Sequence, residues 1–268
     1  MTTAAAHYDA ILGETRRHGR QRTLIALGIV VVALAALAIT GFFDAQRFIE
    51  GGPALAQLGR EMIPPDFSRW QSWVRPLVDT LAMSISGTAL AVALSLPLAL
   101  IAASNTTPGF AVYHGARILL SFLRSVPEII LGIIFVAAVG FGALPGVLAL
   151  ALHSVGMVGK FYAEAIEHVD PKPLEAARAA GAGPFQVITH AVMPQVLPQL
   201  ADITIYRWEY HFRASAVLGI VGAGGIGFEL MAALRLIKYD QVSAILLTIL
   251  ACVIVVDSLG AWLRKQLK

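Results

Sequence analysis

The sequence predicts an all-α integral membrane protein with six transmembrane helices and both termini cytoplasmic. Three observations predict it. Charged residues are 14% of the 268 and hydrophobic ones 57%, against roughly 25% charge in an ordinary soluble domain, which places most of the chain in lipid. The apolar residues gather into six segments long enough to cross a bilayer. Basic residues flank the set: Arg16, Arg17, Arg20 and Arg22 before the first segment, and Arg264, Lys265 and Lys268 after the last. An even number of crossings puts both groups on the inner side, as the positive-inside bias asks. The net charge of +3 matters less than this placement, and no nucleic acid partner is expected. Cys252 is the one cysteine, so the chain can form no internal disulfide and no cysteine metal site.

In order, residues 1–23 form a polar cytoplasmic tail. Leu24 to Phe43 carries no charge over twenty residues and is the first span, longer than a signal-peptide core. Asp44 to Val74 is a mixed polar, extracytoplasmic connector with Pro64-Pro65-Asp66 and two interfacial tryptophans, Trp70 and Trp73. Residues 75–268 form the transmembrane core. Span two runs from Arg75 to Ala103, span three from Ala116 to Gly140, and span four from Ala143 to Ile166. A loop over about 167–194 follows. Span five covers Gln195 to Ile220, a glycine-rich connector covers Val221 to Gly227, and span six covers Gln241 to Leu263.

The loop is a soluble-looking island inside a membrane protein. Helix formers run from Leu174 to Ala180; Gly181 and Gly183 then break the helix, and Pro184 can open another. Counted from an inside N-terminus, this loop is cytoplasmic. Two short helices lying outside the bilayer have little reason to exist unless they dock onto something.

Span five carries charge at its middle, in Tyr206-Arg207-Trp208-Glu209-Tyr210-His211-Phe212-Arg213. Such groups usually face the bundle interior or a water-filled path. Helical spacing puts Asp202, Glu209 and Arg213 on one face, which contains its own counter-charges and reads as structural. Arg207 and His211 fall roughly opposite. Two readings of Arg207 stand side by side: its guanidinium fork contacts a passing oxyanion, or it pairs with an acid from another helix or reaches the interface. Arg124 and Glu128, spaced i,i+4 on span three, read as an internal salt bridge. His153 and Ser154 read as a small polar contact, since no nucleophile elbow or third acid completes a triad. Gly222, Gly224 and Gly227 match G-x-G-x-x-G formally, but no strand precedes them and Asp240 lies too near. They read instead as close helix packing or a re-entrant turn. There is no Walker A motif, so the chain cannot hydrolyse ATP itself.

Glu175-Ala176-Ala177, with Gly181 six residues and Pro194 nineteen residues after the Glu, resembles the EAA loop of importer-type ABC permeases. Ala191 and Met193 depart from that pattern, where Ile and Leu are usual, while keeping the expected docking surface apolar. Arg124-Ser125-Val126-Pro127-Glu128, Pro64-Pro65-Asp66, Tyr206-Arg207-Trp208-Glu209, Arg213, Val217-Leu218-Gly219 and Gly222 to Gly227 are similar to the phosphonate-type branch, whose look phosphite and phosphate carriers share. The resemblance covers about Pro64 to the C-terminus. It implies the type I ABC importer permease fold, a homodimer of permeases in the bacterial cytoplasmic (inner) membrane, two ATPase subunits that bind the ATP and magnesium, and an extracytoplasmic solute-binding protein. It makes Glu175, Ala176, Ala177, Gly181, Pro184 and Pro194 the ATPase-coupling residues, and Arg207, His211, Arg213 and Arg124 candidates for a phosphonate, phosphite or phosphate pathway. No cofactor or metal is expected in this chain. The alternatives are an ABC permease for another small solute, or a secondary transporter or channel working without an ATPase.

Overall fold

The computed structural model describes residues 2–267, with side chains over 19–267. Lys268 and the side chains of Arg16 and Arg17, invoked above for their charge, lie outside the described residues. Among the described residues every regular element is helical. The chain forms two compact units, Met1–Arg60 and Glu61–Lys268.

The first unit holds α1 (Thr2–Ile39) and nearly all of α2 (Ala45–Glu61). The expected tail is thus helical and continuous with the first span, whose apolar part Gly19–Ile39 is long enough to cross a membrane. The helix stops short of Phe43 because Gly41, at φ +75°, closes it with a Schellman pair: Phe42 N–H bonds the Leu37 carbonyl and Gly41 N–H that of Ala38. The expected connector also hides a helix. In α2, Phe48, Ile49 and Leu55 share one face, with Glu50 and Gln57 opposite. Gly51, Gly52 and Pro53 disguise this period in the sequence.

The second unit comprises α3 (Trp70–Ala102), α4 (Phe110–Ser125), α5 (Glu128–Val139), α6 (Ala143–Glu167), α7 (Pro171–Ala179), α8 (Pro184–Val187), α9 (Met193–Ile220), α10 (Ile226–Arg235) and α11 (Tyr239–Gln266). Its centre is α6, which packs against α3, α4, α5 and α9. Small residues make this possible, because van der Waals packing of close backbones is what holds helices together in lipid. A Cβ on Gly156 would stand 2.5 Å from the Arg124 amide nitrogen and 2.6 Å from the Leu120 carbonyl.

Span three is not one helix. It breaks into α4 and α5, bent by 82°. Pro127 has no N–H to continue the ladder, and its ring forces Val126 into the extended region, φ −89°, ψ 117°. Among the described residues, four helical segments are long and apolar enough to cross a membrane (Gly19–Ile39, Trp70–Ala102, Ala143–Glu167 and Tyr239–Gln266), or five if α4 and α5 count as one bent span. The 28-residue α9 has the length but not the apolarity, because it carries Asp202, Arg207, Glu209 and Arg213.

A π-helical turn, Ile188–Val192, joins α8 to α9. Pro194 follows it, and the wider turn spares its ring the clash with the carbonyl four residues back. At the opposite end of the bundle from this turn, the Asp66 N–H bonds the Asp240 carbonyl at 3.0 Å, tying the Pro64-Pro65-Asp66 stretch to the start of α11. The Ser68 N–H, then its hydroxyl, hold the half-buried Asp66 carboxyl below the usual carboxylate range.

Candidate functional site

Two places gather the residues singled out above. The first is the hairpin of α7 and α8. Asp170 caps α7, its carboxylate accepting from Lys172 N–H at 3.0 Å, and Pro171 occupies the first turn, where no N–H is needed. Gly181, at φ +85°, ends α7 with a second Schellman pair: Ala182 N–H to the Ala177 carbonyl and Gly181 N–H to that of Arg178, both at 3.0 Å. Gln186 then accepts from Gly183 N–H at 2.9 Å and fixes the start of α8. Gln195 accepts from Asp170 N–H at 3.0 Å, which holds the root of α7 against the first turn of α9. Glu175, Ala176, Gly181, Pro184 and Pro194 are exposed, and Leu174 is the residue of α7 that enters the core. Ala191 and Met193 are not on the outer surface of this hairpin: Ala191 is buried in the core and Met193 packs against it. Their departure from the EAA pattern is therefore a matter of internal packing. Phe185, 76% exposed at the turn into α8, is the large apolar side chain that sequence reasoning passed over.

A Cβ at Gly181 meets no atom within 4 Å, so a substitution there acts through the backbone alone. Gly181→Val puts a β-branched residue at positive φ, at a cost of about 1–2 kcal/mol, which the hairpin escapes by changing its turn. If the hairpin couples an ATPase, as the resemblance to the EAA loop implies, the expected result is a protein that inserts and purifies normally while ATP hydrolysis no longer drives uptake. Wild-type uptake per ATP in the variant would show that the turn has no part in coupling.

The second place is a buried polar cluster where α3, α5, α6 and α9 meet. Arg207 is 6% exposed and His211 fully buried. Arg207 Nε–H donates to Ser154 Oγ at 2.7 Å, and Ser154 Oγ meets His211 Nε2. His211 Nδ1 meets Thr88 Oγ1 at 2.7 Å, and the Thr88 hydroxyl donates to the Ser84 carbonyl at 2.6 Å. The last acceptor is a carbonyl, which sets the direction of the chain at its Thr88 end, and a neutral imidazole gives the order that uses every proton. Thr88 accepts from His211 Nδ1–H, and His211 Nε2 accepts from the Ser154 hydroxyl, which itself accepts from Arg207. Both ring nitrogens of His211 are bonded to protein, leaving neither for a passing solute.

Beside this chain, the Tyr210 hydroxyl donates to Glu128, and the Arg207 guanidinium lies over the Tyr210 ring at 4.2 Å. His153 Nδ1 donates to the Val126 carbonyl at 2.9 Å, and His153 Nε2 stands 3.4 Å from Glu128. The break at Pro127 thus redirects Glu128. It faces His153 and Tyr210, and the expected Arg124–Glu128 bridge does not form. Arg207 has no carboxylate within 4.0 Å among the described residues, and its buried Nη2 has no hydrogen-bond partner.

The other two cations lie elsewhere. Arg213 binds both oxygens of Asp257 on α11, at 2.9 and 3.1 Å. Glu209 meets Arg264 at 2.8 Å, and Asp202 meets the same arginine at 3.9 Å. The face shared by Asp202, Glu209 and Arg213 is as the spacing predicts, but its counter-charges come from α11. Arg124 lines a separate cavity between α4 and α6. After α9 the chain turns back on itself through Gly222, Gly224 and Gly225, all at positive φ, and α10 packs against α9 backbone to backbone at Gly219 and Gly227. Of the two sequence readings of these glycines, close helix packing is the one this geometry shows.

The family model for "Binding-protein-dependent transport system inner membrane component" matches residues 95–268. The chain is 60% identical over 274 residues to the phosphite transport system permease protein PtxC of Stutzerimonas stutzeri, an alignment covering 98% of this chain and 100% of that one. It is 43% identical to the phosphate-import permease protein PhnE of Mycolicibacterium smegmatis, over 84% of this chain and 42% of the relative. Among solved structures, a chain of the inward-facing MetNI methionine ABC transporter superposes with a TM-score of 0.66 at 22% identity, covering 75% of this chain and 99% of its own. A chain of a bacterial alginate ABC importer gives 0.61 at 14% identity, over 85% and 94%. These two likenesses establish the fold.

Proposed function

This chain belongs to the family of binding-protein-dependent transport system inner membrane components, and on that premise we propose that it is the permease subunit of an ATP-driven importer for a phosphorus oxyanion: phosphite, phosphonate or phosphate. The observation that carries the substrate class is Arg207. A guanidinium buried among helices, with a free Nη2 and no carboxylate in contact, is a site for an anion that arrives from outside the chain. The relatives whose names give phosphite and phosphate as cargo support the same class.

In this reading α9 is the fifth of six crossings, stitched to α11 by its ion pairs, and both termini lie on the cytoplasmic side of a bacterial inner membrane. Two copies of the chain enclose the path. The α7–α8 hairpin, with Glu175, Gly181 and Pro184 exposed, sits in a groove on each of two ATPase subunits, which bind the ATP and magnesium. An extracytoplasmic binding protein delivers the solute. ATPase closure moves the hairpin, and the link from Gln195 to Asp170 carries that motion into α9 and so to Arg207. A carrier working without an ATPase would leave the hairpin with nothing to dock on.

The test is uptake into proteoliposomes containing the permease, its ATPase and its binding protein, with labelled phosphite, methylphosphonate and phosphate offered separately. ATP-dependent accumulation of at least one, absent without the ATPase, is expected. Accumulation of none, or accumulation independent of ATP, would overturn the reading.

A further inference from the structure

A cavity of about 220 Å³ between α4 and α6 has Arg117, Arg124 and Lys160 in its walls, with Ser121 between the two arginines. It is separate from the Arg207 cluster and shares no lining residue with the surroundings described for it. Arg117, Ser121 and Arg124 follow one another at i, i+4 and i+7, so they form a single stripe along α4. Two of the three cations are matched: Arg117 meets Glu167 at 2.8 Å and Lys160 meets Glu164 at 3.4 Å. Arg124 has no hydrogen bond or ion pair among the described residues, which leaves the cavity one positive charge in excess. That charge sits midway along a bent pair of helices apolar enough to span a membrane. An unmatched cation at such a place is a site by default.

We infer that this cavity binds one singly charged phosphate-type group. The charge balance asks for one negative charge. The cavity is smaller than drug-sized ligand pockets and suits a headgroup or a small ion. Two guanidinium forks, an ammonium and a hydroxyl offer donors from several directions, as a tetrahedral oxyanion requires. Two sources share this chemistry: the phosphodiester of a membrane lipid, and a free oxyanion. The surroundings suit the lipid. Ile118 and Phe122, 69% and 64% exposed, lie next to the cationic stripe on α4 and provide an apolar track for acyl chains. Lys160 lies seven residues, about 10 Å, from the end of α6 that leads into the α7 hairpin, and Arg117 reaches that end through Glu167. Those two side chains are thus within snorkelling reach of the headgroup layer, with Arg124 deeper in the same cavity.

The experiment is native mass spectrometry of the detergent-purified protein with its co-purifying subunits, titrated with dioleoylphosphatidylglycerol, with dioleoylglycerol, and with methylphosphonate. Phosphatidylglycerol is expected to stay bound under activation that strips dioleoylglycerol, which lacks the phosphate. Arg124→Gln and Lys160→Gln are each expected to weaken retention at least about tenfold. Displacement of the lipid by methylphosphonate would assign the same cavity to free oxyanions as well. Equal retention of the two lipids by the wild type, with no effect of methylphosphonate, would overturn the site without any variant. So would retention unchanged in the doubly substituted protein.

Discussion

Arg207→Ala is expected to lower oxyanion uptake at least about a hundredfold while the complex remains assembled. The size follows from the loss of charge-assisted hydrogen bonds, each about 1.5–3 kcal/mol, in a site with little competing water. The survival of the complex follows from the order of the polar chain. Arg207 is a donor at its end: without it Ser154 loses one incoming hydrogen bond but still donates to His211, and the links through Thr88 to the Ser84 carbonyl are untouched. Tyr210 keeps its bond to Glu128. No buried carboxylate is left uncompensated, because none is paired with Arg207 among the described residues. Arg207→Lys separates charge from geometry. A lysine keeps the positive charge but has neither the Nε–H that meets Ser154 nor the planar fork, so uptake intermediate between wild type and Ala is expected. The measurement is initial uptake in proteoliposomes alongside the thermal midpoint of the same preparations. If Arg207→Ala lowers the midpoint and uptake together, and Lys restores both, the arginine is a structural clamp and the anion site lies elsewhere.

Gly227→Ala is expected to destabilise the folded protein by about 3 kcal/mol or more, seen as a loss of monodisperse material on size exclusion and a lowered midpoint. A Cβ at this position would overlap the carbonyl oxygen of Ala216 on α9, and Gly219 Cα stands 3.1 Å from it. Both obstacles are backbone, so no rotamer change relieves them; α10 must move off α9 as a body. That movement would also break the bond from Ile226 N–H to the buried Thr80 hydroxyl at 2.9 Å, which ties the turn to α3. The matched control is Gly59→Ala in α2, where nothing lies within 4 Å of the new atom. That substitution is expected to be neutral or slightly stabilising, since alanine is the better helix former. Equal behaviour of the two variants would mean that the α9–α10 contact adjusts more freely than its geometry indicates.

The long apolar helices were legible because charge depletion and length are properties of composition alone. The α7 hairpin was legible because its punctuation is local: Asp170, Pro171, Gly181 and Pro184 each act through their own backbone. Helical phase also placed Asp202, Glu209 and Arg213 on one face. What stayed hidden were partners and bends. Asp257 and Arg264 lie dozens of residues from the groups they meet, and no periodicity within one helix points to them. Pro127 was visible, but its consequence was not: once the helix turns by 82°, i,i+4 spacing across it no longer means contact. The pairing of Ser154 with Arg207 and His211 needed two helices in register, and α2 was masked by its own glycines and proline.

The π-helical turn at Ile188–Val192 amounts to one surplus residue in an otherwise α-helical run from Pro184 to Ile220. The wide turn takes up that residue without changing the phase of the helix on either side; were the same residues wound as a regular α-helix, everything before them would swing about 100° around the axis of α9. The surplus residue is thus an angular setting. Wound wide, it fixes which way the exposed edge of the hairpin points for a given orientation of Arg207, and regular α winding of the same residues would misalign the two without removing either.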